Sequence, residues 1–294
     1  MMYDMPLYRP PSEGHNLVIQ VTYGCSYNEC SFCSMYKSKR YRARPMDEIF
    51  DDIADAARDW PEAHRIFLAD GDAMGLPAGD LRTILVRLAE TFPNLQRVSA
   101  YATPVNLLKK TPEELLELRE LGLSLVYVGI ESGSPEVLRR ITKGARPQSM
   151  EKALAKARDA HIKVSATVIL GLGGRGLWRD HIDGTADLIN KTAPTYLSTL
   201  QLGLEESQED RFMQRFERRG GRFEWQDDRR TLEELHRLIG ALDPVRPVIF
   251  RSNHASNALA LAGNLPKDRD RLLAEVGAAL DGERALRPRY IRGL

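Results

Sequence analysis

The sequence predicts an α/β protein: a partial (β/α)6 TIM-like barrel over residues 1–204, followed by a mostly helical C-terminal cap over 205–294. The first observation is an alternation. Apolar, β-branched runs take turns with segments of helical period, and Gly, Pro, Asp or Asn separate them. The second is the character of the runs. Leu125, Val126, Tyr127 and Val128, and again Val164, Ala166, Val168, Ile169 and Leu170, are too continuously apolar for a half-solvated strand and suit a parallel sheet covered by helices. The third is the change after about Leu204, where Arg, Glu and Asp dominate.

The expected strands lie at about 17–22, 65–70, 96–101, 124–130, 163–170 and 196–202, which makes six βα units and an incomplete barrel. Helices fill the gaps. Residues 46–60 place Ile49, Phe50, Ile53, Ala56 and Ala57 on one face, and 81–92 repeat the pattern with Ile84, Leu85 and Leu88. Thr111-Pro112-Glu113-Glu114 opens another helix with a hydroxyl N-cap, proline at the first helical position and acids at the positive end of the dipole. Gly122 is its stop. The cap should hold helices at 208–219, 229–242 and 269–280 and one short strand at 248–250, before a tail containing Arg287, Arg289 and Arg292.

Composition narrows the function classes. Lys+Arg 42 against Asp+Glu 41 gives a net charge of +1, which offers no case for nucleic acid or an anionic membrane. No apolar run is long enough to span a bilayer, and 1–16 has no signal-peptide pattern. The chain has 3 cysteines, Cys25, Cys30 and Cys33, all in one short loop after the first strand. An odd, close-spaced set cannot build a disulfide framework, so the expected setting is the reducing cytoplasm. Three thiolates also fall one short of the four protein ligands of a structural zinc site or a ferredoxin-type cube. A cube held by three would leave one iron open for chemistry.

In an α/β barrel, ligands gather where strands end, so the polar residues just after each apolar run are the informative ones. The thiol loop follows the first strand. The second ends in Asp70-Gly71-Asp72, two carboxylates around a glycine that permits close backbone approach, a setting for a cationic group. The fourth ends in Gly129-Ile130-Glu131-Ser132-Gly133, and the fifth in Gly171-Leu172-Gly173-Gly174, a bare backbone edge for a flat ring.

Tyr23-Gly24-Cys25 to Cys30-Ser31-Phe32-Cys33, with these later motifs, resembles the radical S-adenosylmethionine (SAM) superfamily over about the first two thirds of the chain. The resemblance implies a [4Fe-4S] cluster held by Cys25, Cys30 and Cys33, with the methionine moiety of S-adenosyl-L-methionine on the open iron. It also implies Phe32 beside the adenine, Gly71 and Asp72 at the methionine ammonium, Glu131 with Ser132 at the ribose, and Gly171 with Leu172 at the adenine. The activity implied is reductive cleavage of SAM to a 5′-deoxyadenosyl radical, which takes hydrogen from a small-molecule substrate, with a flavodoxin or ferredoxin as reductant. A barrel with a cap keeps water and oxygen away, so substrate choice is expected in the cap.

Four residues separate the first two cysteines where the superfamily normally has three. The segment 128–144, with Glu-Ser-Gly-Ser-Pro-Glu and a later Lys-Gly, is most similar to the branch of oxygen-independent coproporphyrinogen oxidases and methylthiotransferases. The former carry a further cysteine where Met35 stands, and the latter a second cluster for which no cysteines remain. A cobalamin-binding unit is not expected ahead of the first strand. The alternatives carried forward are a radical SAM transferase and a non-catalytic iron–sulfur or zinc protein, the latter with a histidine such as His15 as fourth ligand.

On the substrate side the candidates are Arg251, Asn253 and His254, with Asn257, after the short cap strand; Arg251 suits a carboxylate or phosphate. The same residues also suit a turn and helix cap. Tyr101 reads as a core or rim tyrosine, and the run Lys37, Lys39, Arg40, Arg42 and Arg44 as solvated surface. Histidines other than His254 show no metal-ligand spacing.

Overall fold

The computed structural model describes residues 3–218 and 220–293, so the expected helix end at Arg219 and the tail residue Leu294 lie outside the described residues. The chain divides into two compact units: 1–28, 35–128 and 152–164 in the first; 29–34, 129–151 and 165–294 in the second.

In the first unit, β1 (Leu17–Gln20) is buried along its whole length. The short β2 (Thr22–Tyr23) and β3 (Arg42–Ala43) pair antiparallel with each other. This corrects the expected continuous strand at 17–22. The chain leaves the main sheet after Gln20 and forms a small ribbon that carries it into and out of the thiol loop. Helix α1 (Met46–Asp59) buries Ile49, Ile53 and Ala56, and α2 (Ala78–Thr91) buries Leu81, Ile84, Leu85 and Leu88. These are the apolar faces the periodicity predicts. β4 (Arg65–Ala69) pairs in parallel with β1 and with β5 (Arg97–Ala102). A short α3 (Pro104–Lys109) precedes α4 (Pro112–Glu120). The expected cap of α4 is a full capping box: Glu114 N donates to Thr111 Oγ1 at 3.1 Å and Thr111 N to Glu114 Oε2 at 2.7 Å. Gly122, with φ of 105°, ends that helix. β6 (Leu123–Glu131) pairs in parallel with β5 through Val128 and passes into the second unit at Gly129.

The second unit continues with α5 (Pro135–Arg140), α6 (Pro147–Asp159), whose C-terminal part returns to the first unit, and β7 (Lys163–Leu170). Helix α7 (Gly174–Thr192) leads to β8 (Tyr196–Gln201), parallel to β7. Then come α8 (Glu206–Glu217), α9 (Asp228–Ala241), β9 (Val248–Ser252), β10 (Leu261–Leu265) and α10 (Arg269–Leu280). The main sheet has eight strands in the order β1-β4-β5-β6-β7-β8-β9-β10 and is not closed, which is the partial barrel of the sequence reading. Its second half extends past the six expected strands. β9 adds in parallel to β8, and β10 returns antiparallel to β9. Gly263 and Asn264 disguise β10 in the sequence, although its alternation of buried and exposed residues is strand-like. On α8, Phe212 and Phe216 meet Phe223 edge-on at 4.8 and 4.9 Å between ring centroids, which gives this charged segment its own apolar core.

Candidate active site at the strand ends

The thiol loop is made of bends and turns with no ladder pairing, and its three cysteines are half-buried. Cys33 N lies 3.4 Å from Cys30 O across one turn. Buried Ser31, between them, donates through its N and Oγ to Ile141 O, at 2.9 and 3.2 Å. Phe32 beside it is half-buried. Gly24, before Cys25, has φ of 69° and donates its N–H to Asp70 Oδ2 at 3.1 Å. Among the described residues no three His, Cys, Asp or Glu side chains are gathered into a ready metal site. The donor set nevertheless suits iron and sulfide: three soft thiolates on a stretch whose irregular backbone imposes no fixed sulfur positions.

At the end of β4, Asp70 and Asp72 are both fully buried. Their surroundings differ. Asp70 Oδ2 accepts from Lys39 Nζ at 2.9 Å as well as from Gly24, and the Lys39 side chain is only 4% exposed. Arg44 likewise pairs with Asp52 at 2.5 Å in the interior. This corrects the reading of the basic run as solvated surface: Lys39 and Arg44 are buried because buried carboxylates compensate them. Asp72 Oδ2 accepts from Ser26 Oγ, and the Oδ1 of both acids is buried and without a hydrogen-bond partner among the described residues. Burial pushes the Asp72 carboxyl above the usual range, against hydrogen bonds from Ser26 and Asn106 and the charge of Lys110. Lys110 gives its own hydrogen bonds to Met74 O and Leu76 O, at 2.7 and 2.9 Å. Between the acids, Gly71 has no room for a side chain, since a Cβ there would fall 2.3 Å from the ring of buried Tyr36.

At the end of β6, Glu131 adopts φ of 64°, a left-handed conformation that costs a non-glycine residue of order 1 kcal/mol or more. Its Oε1 lies 2.9 Å from Lys143 Nζ. Burial works against the Lys143 charge, but Glu131 and the sulfurs of Cys30 and Cys33 outweigh it and hold the ammonium above its ordinary range. Gly129 makes this possible, because a Cβ there would meet Glu131 Oε1 at 1.9 Å. Next door, buried Ser132 bonds through Oγ to His181 Nδ1 at 2.8 Å, and His181 Nε2 lies 2.9 Å from Ile169 O. A carbonyl only accepts, so Nε2 carries the proton and Nδ1 accepts from Ser132. Burial lowers the His181 pKa to about 4, which keeps the ring neutral for this role. The histidine is structural, as its lack of ligand spacing predicts.

At the end of β7, Gly171 has φ of 82° and Gly174 φ of 56°, and α7 starts there. Leu172 is fully buried. The Gly171 N–H donates to Glu234 Oε2 at 2.6 Å. Tyr101, half-buried, sits in β5 among rings, 5.1 Å from Phe67 and 6.1 Å from Tyr127 between centroids.

Of the substrate-side candidates Arg251 lies in β9 and Asn253 and His254 in the connection to β10, so a turn and not a helix follows them. Arg251 Nη1 donates to Phe250 O at 2.8 Å, Asn253 is exposed, and His254 Nδ1 bonds locally to Ser256 Oγ at 2.9 Å. Asn257 is buried and ties β8 to this turn: its Nδ2 donates to Thr199 O at 2.7 Å and its Oδ1 accepts from Gln201 N at 2.7 Å. In the sequence Lys39 reads as solvated surface and His181 as a histidine without ligand spacing, and Glu234 is not singled out. Glu234 leaves one trace, an acid in the apolar stripe of Leu232, Leu235, Leu238 and Ile239 on α9.

Comparison with known proteins decides the family. The sequence profile of the radical SAM superfamily matches residues 19–189, more than half of the 294 in the chain. The chain belongs to the radical SAM superfamily. Among curated relatives of this radical SAM enzyme, the tRNA-2-methylthio-N(6)-dimethylallyladenosine synthase of Roseiflexus sp. is 26% identical over 186 residues, 61% of this chain and 38% of that one. The chain thus spans little more than a third of that relative's length. Among solved structures, coproporphyrinogen III oxidase of Escherichia coli, titled a radical SAM enzyme, superposes with a TM-score of 0.55 at 15% identity, over 76% of this chain and 51% of that one. Methylornithine synthase gives 0.54 at 14% identity, over 89% and 69%. These likenesses show the fold and agree with the branch resemblance. The superfamily's cofactors are a [4Fe-4S] cluster and SAM, and none of the described helices is long and apolar enough to cross a membrane.

Proposed function

We propose that this radical SAM enzyme binds its cluster through Cys25, Cys30 and Cys33 and cleaves SAM reductively to take hydrogen from a small-molecule substrate. When bound, cluster and SAM together supply hydrogen-atom abstraction; the protein's part is to hold and enclose them. The observation that carries the reading is Asp72, a fully buried carboxylate with one oxygen lacking a partner and a pKa raised by burial. Such a group calls for a cation, and the methionine ammonium is one. Asp70 is already neutralised by Lys39, so it supports the loop through Gly24 and leaves the ammonium to Gly71-Asp72. Glu131, turned by its left-handed backbone and steadied by Lys143, takes the ribose hydroxyls, with Ser132 fixed behind it. Gly171 and Leu172 face the adenine, and Phe32 packs beside it. Residues 205–294 select the substrate, with Arg251, Asn253 and His254 the polar candidates, and a flavodoxin or ferredoxin supplies the electron.

A radical SAM transferase is the second reading, favoured by the methylthio synthase name of the Roseiflexus relative. The test is anaerobic reconstitution with iron and sulfide, reduction with dithionite, addition of SAM and chromatography for 5′-deoxyadenosine, beside Cys30→Ala. Deoxyadenosine from the wild type alone supports the proposal. A colourless protein holding one zinc overturns it.

A further inference from the structure

Behind the Gly171–Gly174 turn stands a buried acid that the family's shared motifs do not include. Glu234 belongs to α9, beyond the matched residues 19–189, and its side chain is buried in the second unit. A fully buried carboxylate is costly unless its oxygens are used. Both are used. Oε2 accepts from Gly171 N at 2.6 Å, and Oε1 accepts from Gln226 Nε2 at 2.6 Å. The same Gln226 amide donates to Gly174 O at 2.9 Å. The pair therefore grips the turn at both ends, the N–H of its first residue and the carbonyl of its last. Both of these glycines have positive φ, and Gly171 has only ordinary space around it, a Cβ there meeting nothing closer than Leu202 Cβ at 3.7 Å. Packing alone does not fix the turn at that point.

We infer that Glu234 and Gln226 are positioning residues that hold the Gly171–Gly174 turn in the conformation that receives the nucleoside half of SAM. The inference rests on the reading that Gly171 and Leu172 face the adenine. It assigns to the C-terminal segment a part in cofactor binding, in addition to substrate selection. Burial raises the Glu234 carboxyl to about 7, against the two N–H donors that favour its ionised form. The position thus keeps an acid whose charge burial disfavours, which is understandable if the two hydrogen bonds are what it supplies.

The test separates the two halves of the cofactor. In Glu234→Gln the amide keeps the volume but turns an N–H2 toward either Gly171 N–H or the Gln226 amide, so one grip is lost. Gln226→Leu, in a half-buried loop that endangers folding less, frees Gly174 O and leaves the Gly171 bond. On protein reconstituted anaerobically to equal iron content, the perturbation of the reduced cluster's EPR signal is titrated with SAM and, separately, with L-methionine, which lacks the nucleoside. Expected is a dissociation constant for SAM raised about tenfold in Glu234→Gln, and several-fold in Gln226→Leu, with that for methionine unchanged. SAM binding as tight as wild type in both variants, or SAM and methionine weakened alike, overturns the inference. A wild-type cluster that responds to methionine but to SAM no better overturns the underlying adenine assignment, and the inference with it.

Discussion

The ends of β4 and β6 present the same words in sequence, an acid next to a glycine, and opposite electrostatics in structure. At the end of β6 the acid already has its cation: Glu131 lies 2.9 Å from Lys143, and Gly129 leaves space for the pair. At the end of β4 the two acids divide the roles. Each keeps a buried Oδ1 without a partner among the described residues, but Asp70 has Lys39, whereas Asp72 has only the Ser26 hydroxyl and the Asn106 amide and a pKa raised by burial. A paired acid is a scaffold and a hydrogen-bond acceptor for neutral groups such as hydroxyls. An unpaired buried one is a receptor for positive charge. The pattern Gly-acid therefore marks a ligand-facing strand end without saying which kind of ligand group it faces.

The largest expected effect breaks the paired acids. Asp70→Asn leaves the Lys39 ammonium, 4% exposed, with only the half-exposed Asp4 carboxylate at 3.6 Å, and Glu131→Gln leaves Lys143, 13% exposed, without its carboxylate. Breaking a buried pair from one side costs roughly 3–5 kcal/mol. Urea unfolding of the ligand-free protein should show a loss of that order for Asp70→Asn and a smaller one for Glu131→Gln, whose lysine is nearer to water. Wild-type stability in both would mean that these lysines find water in solution, and the contrast with Asp72 would collapse.

Next in size is a pH effect, because Glu234 is a third buried acid in a third setting, with hydrogen-bond donors but no cation. Its pKa rises on folding from the ordinary carboxyl value to about 7. The folded state then binds the proton more tightly than the unfolded state, so stability is greatest below the unfolded pKa and falls as pH climbs through the folded one. The loss is on the order of 3 kcal/mol between about pH 4.5 and 7, at 1.36 kcal/mol per unit. Unfolding free energies measured from pH 4.5 to 8 should fall less steeply for Glu234→Gln than for wild type. Parallel curves would show that Glu234 keeps an ordinary pKa.

Much of this was legible in the sequence, for reasons particular residues make plain. Helix α4 is written locally: Thr111, Pro112 and Glu114 specify its start, and Gly122 its end. The strand-end acids are legible because glycines that permit backbone approach sit beside them. The charges that decide their roles are not, since Lys39 lies 31 residues before Asp70 and reads like its neighbour Arg40, which is exposed. Only the path of the thiol loop brings Lys39 inside. Glu234 is 63 residues from the glycine it binds. β10 is lost for a different reason, namely that Gly263 and Asn264 have turn propensity that pairing with β9 overrides.

A smaller effect should follow from filling the two glycine positions. Gly71→Ala drives a methyl to 2.3 Å from the ring of Tyr36, which is 3% exposed. Overpacking of this kind costs typically 1–3 kcal/mol. At Gly129 the obstruction is the Glu131 carboxylate, the far end of a side chain that moves more easily, so Gly129→Ala should cost less stability and chiefly disturb the Glu131–Lys143 pair. Melting temperatures rank the two, and equal shifts would mean that Tyr36 is as free to move as Glu131.

The smallest effect on stability, and opposite in sign, should come from Asp72→Asn. Ionised Asp72 is held in a buried place that raises its pKa, so the ligand-free protein carries an electrostatic cost at neutral pH. The asparagine removes that cost, keeps an oxygen for the Ser26 hydroxyl and leaves the shape unchanged. Stability should rise slightly at pH 8, with the gain shrinking as pH falls and the wild-type acid protonates. Binding should move the other way. If Oδ1 serves an ammonium, the reconstituted variant loses affinity for SAM and for L-methionine together, since both carry that group. A variant that is less stable and binds both normally would make Asp72 another scaffold like Asp70, and the two strand ends would then differ only in the lysines that neutralise them.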